Sequence, residues 1–219
     1  MDTLQCIKTR RSIRKFLDKK IPDSALWQIL EAGNLAPSSG NIQNWRFLVV
    51  EDEAKKKMIA KAALNQSFIA SAPVVVLVFS DTKVVEAKYG DRGKNLYAKQ
   101  NIANAVENMM LAAWNFGVGS CWVGAFTDTL LRKEFVIPDF AEIHAIIPFG
   151  YPAEMPRMPS RLEFADVISF EKFGQTMRGQ EVFPLSEQVP KVKKKLAEAV
   201  KRGVASVSEK IKKARKKKN

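Results

Sequence analysis

The sequence predicts an α/β or α+β body followed by a basic C-terminal extension, and three observations predict it. Short aliphatic runs of strand length interleave with segments whose apolar residues recur at helical spacing. The 219 residues, 46% hydrophobic and 27% charged, have the composition of an ordinary globular chain of roughly one to one and a half domains. The charge is lopsided: within a formal net charge of +13, Pro190 to Asn219 hold 13 basic and 2 acidic residues, and the rest of the chain is nearly balanced at 23 against 21.

The elements follow in order. Asp2 to Lys8 predicts a short helix that ends in the basic run Thr9-Arg10-Arg11-Ser12. Pro22-Asp23-Ser24 starts a second helix, with Leu26, Trp27, Ile29 and Leu30 as its apolar face and Gly33 near its stop. Ala36-Pro37-Ser38-Ser39-Gly40-Asn41 is a dense turn signal. Trp45 to Val50 predicts a strand, Glu51 to Leu64 a lysine-rich helix, and Pro73 to Phe79 a buried strand of β-branched residues. Asp81 to Asn95 is polar, holds Gly90 and Gly93, and predicts a mobile surface segment. Tyr97 to Phe116 is the longest periodic helix, with Ile102, Val106, Met109, Met110 and Ala113 on one side and Gly117-Val118-Gly119 at its end. Cys121 to Phe126 reads as a strand, Thr127 to Phe135 as a helix, and Ile143 to Pro148 as another buried strand. After Gly150 the chain turns proline-rich, then predicts a short strand over Val167 to Phe170, an extended stretch to about Val189, and a helix from Pro190 whose apolar positions step by four and three.

Several classes are excluded. The longest purely aliphatic or aromatic run is Val74 to Phe79, far short of the ~20 apolar residues that span a bilayer. The N-terminus shows no apolar secretory core. Cys6 and Cys121 are far apart, which predicts a reducing, cytoplasmic setting and no disulfide framework. With one histidine, His144, and two distant cysteines no metal cluster is expected, and the imidazole reads as a satisfied core residue. The pI near 9.8 belongs to the tail and does not make the body a nucleic-acid binder.

Three groups of residues could carry chemistry, and a fourth is set aside. Arg10-Arg11-Ser12-Ile13-Arg14 sets three guanidinium forks and a hydroxyl close together, an anion cradle or equally a solvated basic turn. Arg157 and Arg161 sit on a proline-braced segment that could close over the same anion or simply be surface loop. Pro37-Ser38-Ser39-Gly40-Asn41, with Gln43 and Trp45 after it, suits either close approach of a planar ligand or a plain connector. Gly117-Val118-Gly119-Ser120 is not a dinucleotide fingerprint, because the order is helix, glycines, strand rather than strand, glycines, helix. No nucleophile elbow is present. An enzyme built on this chain therefore takes its chemistry from an organic cofactor.

Together these pieces resemble the nitroreductase family of FMN-dependent oxidoreductases over about residues 1–180. The resemblance rests on Arg10-Arg11-Ser12-Ile13-Arg14-Lys15-Phe16, on Ala36 to Asn41 with Gln43 and Trp45, on Gly117 to Gly124, and on Ile147 to Pro152 with Arg161. It implies an α+β three-layer sandwich, a central mostly antiparallel sheet flanked by helices, and an intertwined homodimer with FMN at the interface. Residues 1–180 would form the FMN-binding domain and 181–219 an extension with a basic amphipathic helix.

By the same resemblance the phosphate is held by Arg10, Ser12 and Arg161, with Arg11 as a neighbour, and Arg14 faces the pyrimidine edge. A fixed cation there stabilises the negative charge that reduction develops. Pro37, Ser38, Ser39 and Asn41 match the loop along the isoalloxazine, and Asn65 and Gln66 the pyrimidine contacts. Val123 and Gly124, next to Cys121 and Trp122, match the strand whose backbone N–H faces flavin N5. The family often has proline before the tryptophan, where this chain has Asn44.

The implied activity is ping-pong transfer of hydride from NAD(P)H through FMN to a small aromatic acceptor such as a nitroaromatic or quinone, with no catalytic protein nucleophile. Flavin cleavage or reductive dehalogenation on the same fold is the alternative. A further alternative is a binding module whose tail contacts nucleic acid or an anionic membrane, which a basic amphipathic helix can do.

Overall fold

Asp2 accepts a hydrogen bond from the Gln5 backbone N–H at 2.9 Å and so caps α1 (Thr3–Thr9), satisfying one of the donors that a helix start leaves open. That helix opens a computed structural model which describes residues 1–175. The chain divides into two units, Met1–Pro159 and Ser160–Asn219. The boundary expected at residue 180, the extended stretch to Val189 and the basic amphipathic helix from Pro190 lie outside the described residues.

In the first unit α2 (Asp23–Asn34) is followed by a 3-10 turn (Ser39–Asn41), β1 (Trp45–Val50), α3 (Glu53–Ala62), α4 (Phe68–Ser71) and β2 (Val74–Asp81). Then come α5 (Thr82–Arg92), a π turn (Gly93–Tyr97), α6 (Ala98–Asn115), β3 (Gly119–Ser120), α7 (Asp128–Phe135) and β4 (Ala141–Gly150). The sheet order is β1-β2-β4-β3, and every pairing is antiparallel. One face packs on α2 and α6 through Val76, Val78, Ile147, Ile29, Val106 and Met109. The other face, with Val75, Leu77 and Ile146, packs against Ile59, Ile69 and Leu131 from α3, α4 and α7. The result is the expected α+β three-layer arrangement. β2 is covered on both sides, which is why it reads as an unbroken aliphatic run although its partners are antiparallel.

Most element boundaries match the sequence to within one or two residues. α6 buries Ile102, Val106, Met109, Met110 and Ala113, all on the expected side. It ends as the glycines indicate: Gly117 has φ 75°, its N–H donates to Trp114 O and the Val118 N–H to Ala113 O, which is a Schellman closure. α3 stops at Ala62 because Leu64 and Asn65 turn left-handed, at φ 57° and 59°.

Four expectations need correction. Trp27 is 71% exposed and lies outside the apolar face of α2. The Asp81 to Asn95 segment lies at the surface, as expected, but it is helical and anchored: Thr82 donates to Phe140 O through both its N–H and its hydroxyl, Val85 is fully buried, and the two glycines shape helix. Gly90 kinks α5 with φ 56° and ψ −151°, a conformation close to glycine's alone, and Gly93 packs so closely that a Cβ there would stand 2.5 Å from Val85 O.

The strand expected over Cys121 to Phe126 shrinks to Gly119–Ser120, with one later bridge between Val123 and Ile146. Cys121 N donates to Pro148 O at 3.4 Å, but proline has no N–H to return, so the ladder frays there. In the second unit, Val167 to Phe170 forms no strand; Phe164–Val167 is a short helix, α8, and Phe170 N donates to Gln175 O in a following turn. Among the described residues no strand pairs with this segment, and a lone strand leaves its backbone groups without partners.

Candidate functional site

The segment after α1 is extended and docks on β3. Ile13 N–H donates to Ser120 O at 2.9 Å, and Ser12 bridges Ser120 in parallel. Side chains alternate along extended chain, so with Ile13 fully buried, Ser12 and Arg14 face away from the core. Both act on Cys121. Burial pushes this thiol above its ordinary value, against the opposing pull of the Arg14 charge and a Ser12 hydrogen bond. The Arg14 backbone N–H is held by Glu154 Oε1 at 3.0 Å, and its exposed guanidinium lies 6.0 Å from the centre of the Phe68 ring. Ser12, Arg14, Cys121 and the Asn65 to Phe68 turn therefore form one cluster.

The other arginines differ. Arg10 pairs with Glu107 of α6 at 3.4 Å, yet its buried Nε makes no hydrogen bond among the described residues. Arg11 turns back on α1, its Nη1 donating to Lys8 O at 2.9 Å and to Arg10 O. A cation on the last carbonyls of a helix stabilises that end. Arg161, in the second unit, is exposed and donates from Nη1 to Ser160 O at 3.3 Å.

Around residue 123 the backbone is divided between sheet and surface. Val123 N–H donates to Ile146 O at 3.0 Å and is consumed by the sheet. Gly124 is exposed, its N–H makes no hydrogen bond among the described residues, and a Cβ there would meet only Trp122 Nε1, at 3.8 Å. Of the two, only Gly124 has an N–H free for a ligand. In the nearby turn, Gln66 spends its amide on Ala63 O at 2.9 Å, whereas Asn65 is exposed.

The Pro37 to Asn41 loop is curled tightly, with Gly40, Asn41 and Gln43 all at positive φ. Its polar side chains bind one another. Ser38 Oγ accepts from Gln43 N–H, and Asn41 Oδ1 accepts from Gln43 Nε2 at 2.9 Å. Ser39 N–H and Oγ both donate to Asn101 Oδ1, at 2.9 and 3.1 Å. Asn101 Nδ2 in turn donates to Asn44 Oδ1 at 2.7 Å, and both amides are buried. Asn44, the residue in place of the family's proline, is thus an anchor of the loop.

Sequence reasoning noted Asn44 only as a departure from the family and missed Asn101 and Asn104, the last of which donates to Pro37 O at 3.2 Å. The detectable signal was asparagine at 101, 104 and 108, a polar stripe at helical spacing on α6. Asn104 and Glu107 are three apart on α6, so the loop and Arg10 are anchored one turn from each other.

His144 is the extra residue of a β-bulge: Val78 pairs with Ala145 and Phe79 with Ile143. Its Nε2 shares a hydrogen bond with Ser80 Oγ at 2.7 Å, and burial pushes its pKa below 6.5 against the nearby Glu142. It is a satisfied core imidazole. No cluster of potential metal ligands occurs among the described residues, and none of their helices is long and apolar enough to cross a membrane.

Asn44 Nδ2 and Asp81 Oδ1 are also unpartnered among the described residues, but the unsatisfied groups of the arginine segment, β3 and the Gly124 turn suit a flat, partly anionic ligand: the orphaned Arg10 Nε, the buried Ser120 hydroxyl, the exposed Arg14 guanidinium and the free Gly124 N–H. FMN has the matching parts, a phosphate and a hydrogen-bonding ring edge.

The chain is similar to several known proteins. A Thermus thermophilus NADH dehydrogenase is 30% identical over 195 residues, covering 77% of this chain and 95% of its own. An iodotyrosine deiodinase of Thermotoga neapolitana is 27% identical over 178 residues, covering 69% of this chain and 90% of its own. The solved structure of an FMN-dependent nitroreductase from Clostridium difficile R20291 superimposes with a TM-score of 0.67 at 26% identity, over 78% of this chain and 99% of its own. The nitroreductase family model matches residues 7–67 and 59–151, which hold the Arg10–Arg14 segment, the serine loop and the Gly124 turn, and the chain belongs to the nitroreductase family.

Proposed function

We propose that the chain is an NAD(P)H-dependent oxidoreductase that holds FMN and serves a nitroaromatic or quinone-like acceptor by a ping-pong mechanism. When bound, FMN supplies the two-electron chemistry, taking hydride from NAD(P)H and passing it to the acceptor. The observation that carries the reading is the set of unsatisfied donors and cations spread over three segments that meet at β3 and its flanking turns. The relatives named NADH dehydrogenase and FMN-dependent nitroreductase support the same choice of donor and cofactor.

In this reading Arg10 and Ser12 bind the phosphate. Arg14, whose backbone is held to Glu154, supplies a cation beside Phe68 that stabilises the negative charge accumulating on the ring edge. Gly124 presents its N–H at an unobstructed surface. The serine loop, its side chains already spent on Asn101 and Gln43, offers backbone and a fixed shape rather than free hydroxyls. The functional unit is a homodimer, a reading supported by the exposed Leu4 and Ile7, one turn apart on α1. Both cysteines are free and buried, in keeping with the cytoplasmic setting read from the sequence.

The purified protein is expected to be yellow, with flavin absorption that bleaches anaerobically on adding NAD(P)H and returns on adding a quinone. A colourless protein that FMN does not reconstitute overturns the proposal. Reductive dehalogenation is the second reading, favoured by the Thermotoga deiodinase relative. Halide release from an iodinated phenol by the reduced protein distinguishes it.

A further inference from the structure

We infer that the kinked α5 and the π turn select an acceptor bearing a negative charge on its aromatic ring, with Lys88 and Arg92 as the recognising cations. This rests on the flavin reading above and names the substrate class of that site.

The segment touches the serine loop directly. Lys88 Nζ donates to Gly40 O at 3.2 Å, and the Tyr89 hydroxyl stands where a Cβ on Gly40 would project. Tyr89 and Tyr97 pack edge to face with ring centres 5.2 Å apart. Each ring carries a cation: Lys88 Nζ lies 5.6 Å from the Tyr89 ring centre and the Arg92 guanidinium 5.5 Å from that of Tyr97. Arg92 Nε also donates to the Tyr97 hydroxyl at 2.9 Å, which fixes the fork. Gly90, whose missing side chain faces open space, serves the kink rather than packing, and the kink separates the two cations.

Charge pairing distinguishes these two residues from most of the cations around them; Lys83, which also makes no ion pair among the described residues, sits instead over Phe140, 4.7 Å from its ring centre. Lys94 pairs with Glu86 at 3.3 Å, Lys99 with Glu142 at 3.8 Å and Arg46 with Asp81 at 3.4 Å. Lys88 and Arg92 make no ion pair among the described residues, and Asp91, the remaining acid of the segment, pairs with neither. Two uncompensated cations seated on aromatic faces beside the loop suit a carboxylate or sulfonate attached to a ring, because the ring meets tyrosine while the anion takes the charge-assisted hydrogen bonds.

The test uses the full-length FMN-loaded protein at saturating NAD(P)H. It compares kcat/KM for 4-nitrobenzoate with that for 4-nitrobenzamide, which has the same shape and no charge. In Lys88→Gln/Arg92→Gln the benzoate-to-benzamide ratio is expected to fall about tenfold from the wild-type value, as for loss of two partly solvated charge contacts. Lys57→Gln on α3, which removes an exposed charge that pairs with Glu53 on its own helix, is expected to keep it. An unchanged ratio in the double variant overturns the inference. So does a loss confined to NADPH relative to NADH, which would assign the two cations to the donor's additional phosphate. If the wild-type protein neither holds FMN nor bleaches with NAD(P)H, the flavin reading has failed and this inference with it. If it turns over both acceptors with no variant-dependent ratio, the inference alone has failed.

Discussion

Ser39 is hung from Asn101 by two hydrogen bonds, through its N–H at 2.9 Å and its hydroxyl at 3.1 Å, so the serine loop takes its position from the long core helix and not from its own turn alone. Asn101 passes the constraint to Asn44 at the start of β1, and a buried amide pair ties loop, helix and sheet together.

Asn101→Ala leaves two donors on half-buried Ser39 and the buried side-chain carbonyl of Asn44 without a partner. A loss of about 2–3 kcal/mol in chemical denaturation is expected, with weaker FMN binding by fluorescence titration. Asn115→Ala, which loses only the exposed contact to the Met1 amino group, is expected to stay within about 0.5 kcal/mol of wild type.

Gly119→Ala is expected to undock the arginine segment. Its Cβ would stand 2.6 Å from Ile13 Cγ1 and 3.0 Å from Pro152 Cγ, and Ile13 is fully buried with no room to withdraw. The expected stability loss is about 1–3 kcal/mol. FMN affinity should fall at the same time, because Ser12 and Arg14 move with Ile13; an affinity equal to wild type would separate this segment from the cofactor.

Arg14→Gln removes an exposed guanidinium while the backbone bond to Glu154 survives. Folding stability is therefore expected within about 0.5 kcal/mol of wild type. The kcat/KM for NAD(P)H, measured by stopped-flow bleaching, should drop roughly 10- to 100-fold if the cation stabilises charge on the ring.

His144 carries a pH dependence of known sign. Its folded pKa is depressed below 6.5, chiefly by burial, so below that value the unfolded chain binds the proton more readily. The stabilisation is complete above the unfolded value and is lost as pH falls through the folded one. Thermal midpoints measured from pH 8 to pH 5 should fall on the acid side in wild type and fall less in His144→Gln.

Local chemistry made much of the fold legible. Asp2 and Asp52 cap helices through side chains that any reader of the sequence can place, and Gly117 closes α6 because a left-handed residue is needed there. The α6 stripe and the β2 run follow from periodicity alone. Failures occurred where a distant partner overrode the local signal. The polar Asp81 to Asn95 stretch with Gly90 and Gly93 reads as a mobile surface segment, but Phe140 and the buried Val85 hold α5 in place there. Cys121 to Phe126 reads as strand, but the prolyl nitrogen of Pro148 opposite it cannot complete the ladder.

By itself the sequence determined the interleaved helices and strands, the arginine and serine segments as candidate binding pieces, and the confinement of the charge excess to the tail. Those properties depend on side-chain type and spacing along the chain. Only the tertiary structure decided that Gly124 rather than Val123 keeps a free N–H, and that Asn44 and Asn101 carry the serine loop. Each of these depends on which donor meets which acceptor across long stretches of chain, and hydrogen-bond satisfaction in a core is settled by packing, not by sequence neighbours.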